Sequence, residues 1–262
     1  MLVPSLALLR DAALAMEAIA GPDNRDPLTL SMDKDSFLEE LTAGIRGLKV
    51  AWCPNHGNTI VDKQVLTITQ VAALRFSELG CTVEEVRLEF SPIHEAYTAV
   101  FAASCAAALD ERVEEWKDRL DRGLVRLTEI GLEMKASDCV GARNQWYHLW
   151  ETLRTVFQHY DLLLTPTLLL SPFPTGVDWP REINGRKIPP LAFLAFTYPF
   201  NITGQPAATV PCAWNEDNLP IGLQIIGRHF DDGTALRAAA AFERAYPWAN
   251  RRPPLWLSPP VR

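Results

Sequence analysis

The sequence predicts an α/β fold, and three observations carry that expectation. Two short apolar runs rich in β-formers, Ala208 to Ala213 and Ile221 to Ile226, are bounded by Pro, Gly and Asn. They read as buried strands with a turn between them, followed by a helix over Ala235 to Tyr246 with Asp231 and Asp232 at its N-terminus. Leu48 to Cys53 and Thr82 to Leu88 read as strands on either side of Val61 to Leu79, which has helical periodicity and stops at Gly80. The apolar run Asp161 to Thr167, closed by Thr165-Pro166-Thr167, is a further strand that follows a long helical stretch.

Taken in order, Leu8, Ala12, Ala15, Met16 and Ile19 fall on one side of a first helix ending near Ala20. Gly21-Pro22 stops it, and Ile19 to Pro27 is a loop of turn-formers. Residues 28 to 46 are polar and belong on the surface. Thr82 to Leu88 has one wet side, although Glu84-Glu85 breaks strict alternation. Ser91-Pro92 looks like a helix cap followed by proline in the first turn. From there Ile93 to Leu109 is Ala-rich and expected to be well buried, Asp110 to Leu120 charged and exposed, and Leu124 to Lys135 a shorter helix. Ser137 to Tyr160 carries Trp146, Tyr147 and Trp150, which either pack between helices or line a pocket. Residues 168 to 190 hold five prolines, Pro172, Pro174, Pro180, Pro189 and Pro190. A loop of that length without evident structure is expected to act as a flap beside a pocket. Leu191 to Phe196 reads as a helical turn, Gly204 and Gln205-Pro206 as a fixed bend, and Arg251 to Arg262 as a surface tail.

Composition excludes several function classes. The 262 residues carry a formal charge of −7 with no basic run, which argues against a nucleic-acid footprint. The apolar N-terminus is interrupted by Arg10, Asp11 and Glu17, lacks a basic leader region and is too short for a membrane span. Cys53, Cys81, Cys105, Cys139 and Cys212 form no CxxC pair and no metal-ligand spacing with the five histidines. They read as reduced, mostly buried thiols of a cytoplasmic protein, with neither metal nor cofactor.

The stretch from Phe196 to Gly227 also carries a resemblance. Phe196-Thr197, Pro199, Asn201, Gly204, Pro206-Ala207, Val210-Pro211, Leu219-Pro220, Gly222-Leu223-Gln224 and Gly227 match the run that closes the amidase signature family. Tyr160 to Thr167 repeats the family's Y-D-L-L-L-T-P-T letter for letter. Ile19 to Pro27 is similar to its I-A-G-P-D-P-R-D-P loop. Val3-Pro4 and Asp11 to Leu14 fit the helix before that loop, while Ala7-Leu8 depart from it. The resemblance runs with gaps from about Pro4 to about Pro254. It implies the C-terminal part of the amidase signature fold, a mixed sheet with flanking helices, as one incomplete domain over residues 1–262.

The resemblance implies an amide hydrolase or transferase. Its catalytic set is a serine, a second serine in a cis peptide and a lysine acting as base through that bridging serine. Backbone N–H groups of a Gly/Ser-rich loop form the oxyanion hole. A weak nucleophile needs an adjacent base, and the oxyanion needs preorganised donors. This chain has no Gly-Gly and no Ser-Ser pair, and none of Lys34, Lys49, Lys63, Lys117, Lys135 or Lys187 stands in a matching context. No catalytic residue is therefore assigned. A Cys–His nucleophile, such as Cys53 with His56, has no signature behind it.

One wall of a substrate pocket remains, formed in the family by the turn before F-T-x-P-x-N. Here it carries Phe193, Leu194 and Phe196, which either touch the acyl group or pack in the core. The subfamily that transfers ammonia onto charged tRNA has an acidic residue near the position of Leu194, so leucine points to an apolar or aromatic amide. Three readings stay open. The chain is the C-terminal part of an amidase whose catalytic part lies upstream; or it is a non-catalytic relic or binding module; or it is a subunit completed by a separate chain carrying the catalytic set, with a partner chain or a homo-oligomer among the expected partners. The expected ligand is a small amide, with neither nucleic acid nor membrane as partner.

Overall fold

The computed structural model describes residues 8–30, 36–57, 59–90, 93–177 and 179–251. In chain order the elements begin with α1 (Leu9–Ile19), α2 (Phe37–Glu40), β1 (Lys49–Trp52), α3 (Lys63–Glu78) and β2 (Thr82–Glu85). A helical block follows, α4 (Ile93–Leu109), α5 (Val113–Trp116), α6 (Arg122–Glu133) and α7 (Ala136–His159). The chain then forms β3 (Leu162–Pro166), a ribbon of β4 (Glu182–Ile183) and β5 (Arg186–Lys187), a 3-10 turn at Ala192–Leu194 and α8 (Tyr198–Thr203). It closes with β6 (Ala207–Trp214), β7 (Pro220–Gly227) and α9 (Asp232–Ala245).

The five-stranded sheet is mixed, in the order β2-β1-β3-β7-β6. β1 runs parallel to β2 and β3, and β7 runs antiparallel to β3 and β6. Parallel neighbours need a crossover, which α3 and the helical block supply, whereas β6 and β7 need only a turn. Asn215 makes that turn by accepting from Asp217 N at 3.1 Å and Leu219 N at 2.8 Å through its Oδ1. Central β3 is buried at every position. β6 lies at the sheet edge, where Pro211 is tolerated, and Cys212 is the extra residue of a bulge between Pro211 and Ala213.

Helices α3 and α9 lock together over the sheet. Asp62 Oδ1 caps α3 by accepting from Gln64 N and Val65 N, and Asp231 Oδ1 caps α9 by accepting from Thr234 N. Phe76 stacks on Phe242 at 5.6 Å, and the Arg75 guanidinium lies 4.4 Å from the Tyr246 ring centre. The run Ala238 to Ala241 is buried, so α9 approaches the strands closely.

Several expectations change. The first helix buries Leu9 and Ala13 while Ile19 is half exposed, so its inner face is rotated from the one the apolar spacing marks. α1 packs against α2 and α9, and Glu243 Oε2 on α9 accepts from Leu9 N at 3.2 Å. α4 is only half buried, with Phe101 exposed, because α6 and α7 cover one side of it. Residues 168–190 contain a ribbon turned by Asn184 and Gly185, both at positive φ. α8 is an additional helix, with Pro199 in its first turn and Gly204 in the left-handed conformation at its end. Ser91-Pro92, Val3-Pro4 and the tail beyond Arg251 lie outside the described residues.

Where α4 and α6 cross, Gly131 leaves no room for a side chain. A Cβ there would stand 2.1 Å from Ala102 O and 2.8 Å from Ala106 Cβ. Gly131→Ala is expected to destabilise the chain by about 1–3 kcal/mol through overpacking. Urea unfolding of the two proteins measures this; equal midpoints would show that the helices do not meet so closely.

Candidate functional site

The turn before α8 is wound tightly. Leu191 adopts φ +63°, Ala195 N donates to Ala192 O at 2.9 Å, and both N and Oγ1 of Thr197 donate to Leu194 O. This winding leaves the carbonyls of Ala195 and Phe196 without local partners, and two buried side chains satisfy them. His56, in the loop after β1, donates from Nε2 to Ala195 O at 2.9 Å. Gln224 on β7 donates from Nε2 to Phe196 O at 2.7 Å, and to Thr165 Oγ1 on β3 at 3.1 Å. His56 is 5% exposed and Gln224 4%. Because Nε2 faces a carbonyl it carries the proton, and Nδ1 faces Thr59 Oγ1 at 3.1 Å. The ring is packed against Phe90 and Phe196 at 4.8 and 4.9 Å. Burial lowers its pKa from the usual histidine value to about 4, so it is neutral at pH 7.

Beside this clamp lies a cavity of about 290 Å³. Its apolar wall includes Phe90, Ile93, Leu169 and Ile188, and its polar groups are His56, His94, Tyr198 and the exposed Glu95 and Lys187. Tyr198 Oη is 3.3 Å from His94 Nδ1, and Tyr97 stacks on the Tyr198 ring at 4.5 Å. Burial raises the Tyr198 pKa and lowers that of His94, so both groups are held neutral. The proline-rich segment supplies one wall through Leu169 and residues 187–189. It is tied down at both ends: Asp62 N donates to Leu169 O at 2.7 Å, Leu169 N to Phe193 O at 3.2 Å, and Asn184 Nδ2 to Val61 O at 2.9 Å. A second cavity of similar size lies between α7 and α8, lined by Arg143, Trp146, Tyr147, Trp150, Ile202 and Thr203. Trp146, Tyr147 and Trp150 thus form pocket wall, although Trp146 also packs against the core.

The three residues singled out by sequence part company. Phe196 is fully buried and holds the His56 ring. Phe193 is half-buried and meets Phe173 edge-on at 5.9 Å, and half-buried Leu194 packs against the core. The first cavity is lined from this turn by Ala192 and Ala195 instead. None of His56, His94, Tyr198 and Gln224 is among the substrate-wall residues read from the sequence, where His56 enters only as a possible partner of Cys53. Gln224 had a signal, since it stands inside the L-P-x-G-L-Q run; the histidines had none.

The arrangement fixes a turn beside a cavity, and among the described residues its thiols and His56 are not activated as nucleophiles. Burial pushes the Cys53 and Cys212 thiols up to about 12 and Cys81 to about 11. Cys53 Sγ is engaged by Asn55 O at 3.0 Å, and His56 is committed to Ala195. Among the described residues, no three His, Cys, Asp or Glu side chains gather as a metal site. No described helix is long and apolar enough to cross a membrane.

A family model described as Amidase matches residues 7–236. An acylamidase of Rhodococcus erythropolis is 32% identical over 255 residues, covering 95% of this chain and 53% of the relative. One component chain of the glutamyl-tRNA(Gln) amidotransferase of Geobacillus stearothermophilus is 31% identical, covering 96% of this chain and 56% of the relative. Among solved structures, a bacterial aryl acylamidase of the amidase signature enzymes superposes with a TM-score of 0.85 at 31% identity, over 92% of this chain and 52% of that one. The chain thus spans about half the length of the curated relatives it matches.

Two measurements check the clamp. The folded chain takes a proton on His56 only near pH 4, whereas the unfolded chain takes it near the usual value of 6.5. The neutral-histidine contribution is therefore complete above about pH 6.5 and is lost as pH falls toward 4, up to roughly 3 kcal/mol. A pH series of urea midpoints should show that loss, and His56→Asn should flatten it; an unchanged slope in the variant would remove His56 as its source. Gln224→Leu leaves Phe196 O and Thr165 Oγ1 without their donor and is expected to cost about 1–3 kcal/mol. A variant as stable as the parent would show that the carbonyl does not depend on Gln224.

Proposed function

The chain belongs to the amidase signature family, and on that premise we propose that it is the C-terminal portion of a hydrolase of carbon–nitrogen amide bonds, silent as this chain alone. The observation that carries the reading is the clamped turn and its adjoining cavity, built without an activated nucleophile. In this reading the chain shapes the substrate wall. The serine nucleophile, the bridging serine, the lysine base and the oxyanion donors that the resemblance implies come from a segment outside it. The half-buried Phe193 and Leu194, which do not line the cavity of this chain, meet the acyl group once that segment is in place, while Phe196 holds the turn from within. Leucine at 194 favours an apolar or aromatic amide over a polar one, because a buried amide or amine without a partner is costly. The acylamidase relatives support that substrate class.

A second reading keeps the fold and makes this chain one component of an assembly, completed by a separate chain. The relative that is one component chain of an amidotransferase favours it. The edge position of β6 is a place where another segment can add to the sheet. Five free cysteines, four of them buried, agree with a reducing, cytoplasmic location.

The test combines this chain with an amidase N-terminal portion that carries the Gly/Ser-rich segment and lysine. An aryl acylamide and glutamine serve as substrates. The chain alone is expected to turn over neither, and the reconstituted pair to hydrolyse the aryl amide. Turnover by the chain alone would sink the silent-portion reading. Preference for glutamine would sink the apolar substrate, and ligand binding without turnover in the pair would favour a relic.

A further inference from the structure

A separate concavity of about 620 Å³ opens between the segment before β1, the end of α3 and α9. It shares no lining residue with the cavities described above. Arg46, Arg237 and Arg244 all line it. Positions 237, 241 and 244 lie four and three residues apart on α9 and so share one face of that helix.

Each guanidinium retains donor capacity. Arg237 gives one Nη to Thr234 Oγ1 at 3.1 Å and keeps another 3.7 Å from Glu40 Oε2, while its Nε is buried and has no hydrogen-bond partner. Arg244 donates to the carbonyl of Leu41 at 2.7 Å, and its charge also acts on the carboxylate of Glu243. Arg46 is exposed and lies along Gly80, whose missing side chain makes room for it: a Cβ there would be 3.1 Å from Arg46 Cγ and 3.4 Å from Cζ. The basin therefore gathers three guanidiniums, with the carboxylates of Glu40 beside Arg237 and Glu243 beside Arg244 just outside its lining. In a chain of formal charge −7 this is a local reversal of sign.

We propose that this basin binds a small organic phosphate, with the phosphate on the arginines and the organic part over Leu48, Leu79 and Ala241. Planar guanidinium donors match phosphate oxygens in pairs. A phosphate monoester carries a charge of about −1.5 to −2, opposite in sign to the excess of guanidiniums in the basin. The volume exceeds what inorganic phosphate fills and lies within the range of small-molecule sites, about 300–1,000 Å³. The apolar side chains on the same wall give the surplus volume a use.

Phenyl phosphate titrated into the full chain at low ionic strength tests the assignment by calorimetry, with amide spectra as the second readout. Saturable binding is expected, with shifts at Gly44, Arg46 and Leu48. Arg46→Gln, at an exposed position, should weaken it about tenfold, as expected for losing one charge-assisted bond. Arg237→Gln should act in the same direction while the amide spectrum stays native. Inorganic phosphate should bind more weakly than phenyl phosphate, and benzoate more weakly still. No saturable binding to the parent chain, or unchanged affinity in Arg46→Gln, overturns the site. Benzoate binding as tightly as phenyl phosphate overturns the phosphate, and inorganic phosphate doing so overturns the organic part.

Discussion

Two consecutive carbonyls, those of Ala195 and Phe196, are the constraint on which the surrounding structure depends. The wound turn at 191–197 cannot satisfy them itself, and leaving a buried carbonyl unpaired costs about 1–3 kcal/mol. His56 and Gln224 reach them from two different parts of the sheet. Gln224 also holds Thr165, so a single side chain joins β7, β3 and the turn. Moving any one of these segments would break bonds in a dry interior, where polar groups have no water to fall back on. The turn's position then sets the start of α8, the placement of Tyr198 over the cavity and the anchoring of Leu169 through Phe193.

That constraint also clarifies what a family motif can mean. Of the matched residues, Gln224 and Phe196 serve the clamp, Gly204 supplies the left-handed end of α8, and Gly222 lies where a Cβ would meet Thr167 Oγ1 at 2.6 Å. These are requirements of backbone geometry and close approach. They account for the place of these four residues in the fold. The buried thiols and the buried His56 are held by their surroundings in unreactive forms.

Legibility in the sequence followed the range of the interaction involved. The strands and the long helices are visible because their periodicity and caps are local: Asp62 and Asp231 stand where their helices begin. The β4–β5 ribbon was legible in Asn184-Gly185, a pair well suited to a tight hairpin, but the surrounding prolines obscured it. α8 is six residues long with proline in its first turn, too short for a period to register. The inner face of α1 depends on its packing against α2 and α9, whose Glu243 bonds Leu9 from 234 residues away. The site shows the same division. Phe193, Leu194 and Phe196 were found as one turn, yet their three environments differ because the turn has two sides.

By itself, then, the sequence determined the family, the alternation of strands and helices, and the absence of paired glycines and paired serines from this chain. These are properties of composition, spacing and short-range propensity, and they survive without coordinates. Only the tertiary structure decided that His56 is a neutral donor rather than the partner of Cys53. It alone turned Phe196 inward, brought His94 to Tyr198 across 104 residues and gathered three arginines around one basin. The physical reason is that burial and hydrogen-bond partnership are set by whatever the fold packs alongside a residue. In this chain those neighbours come from far along the sequence.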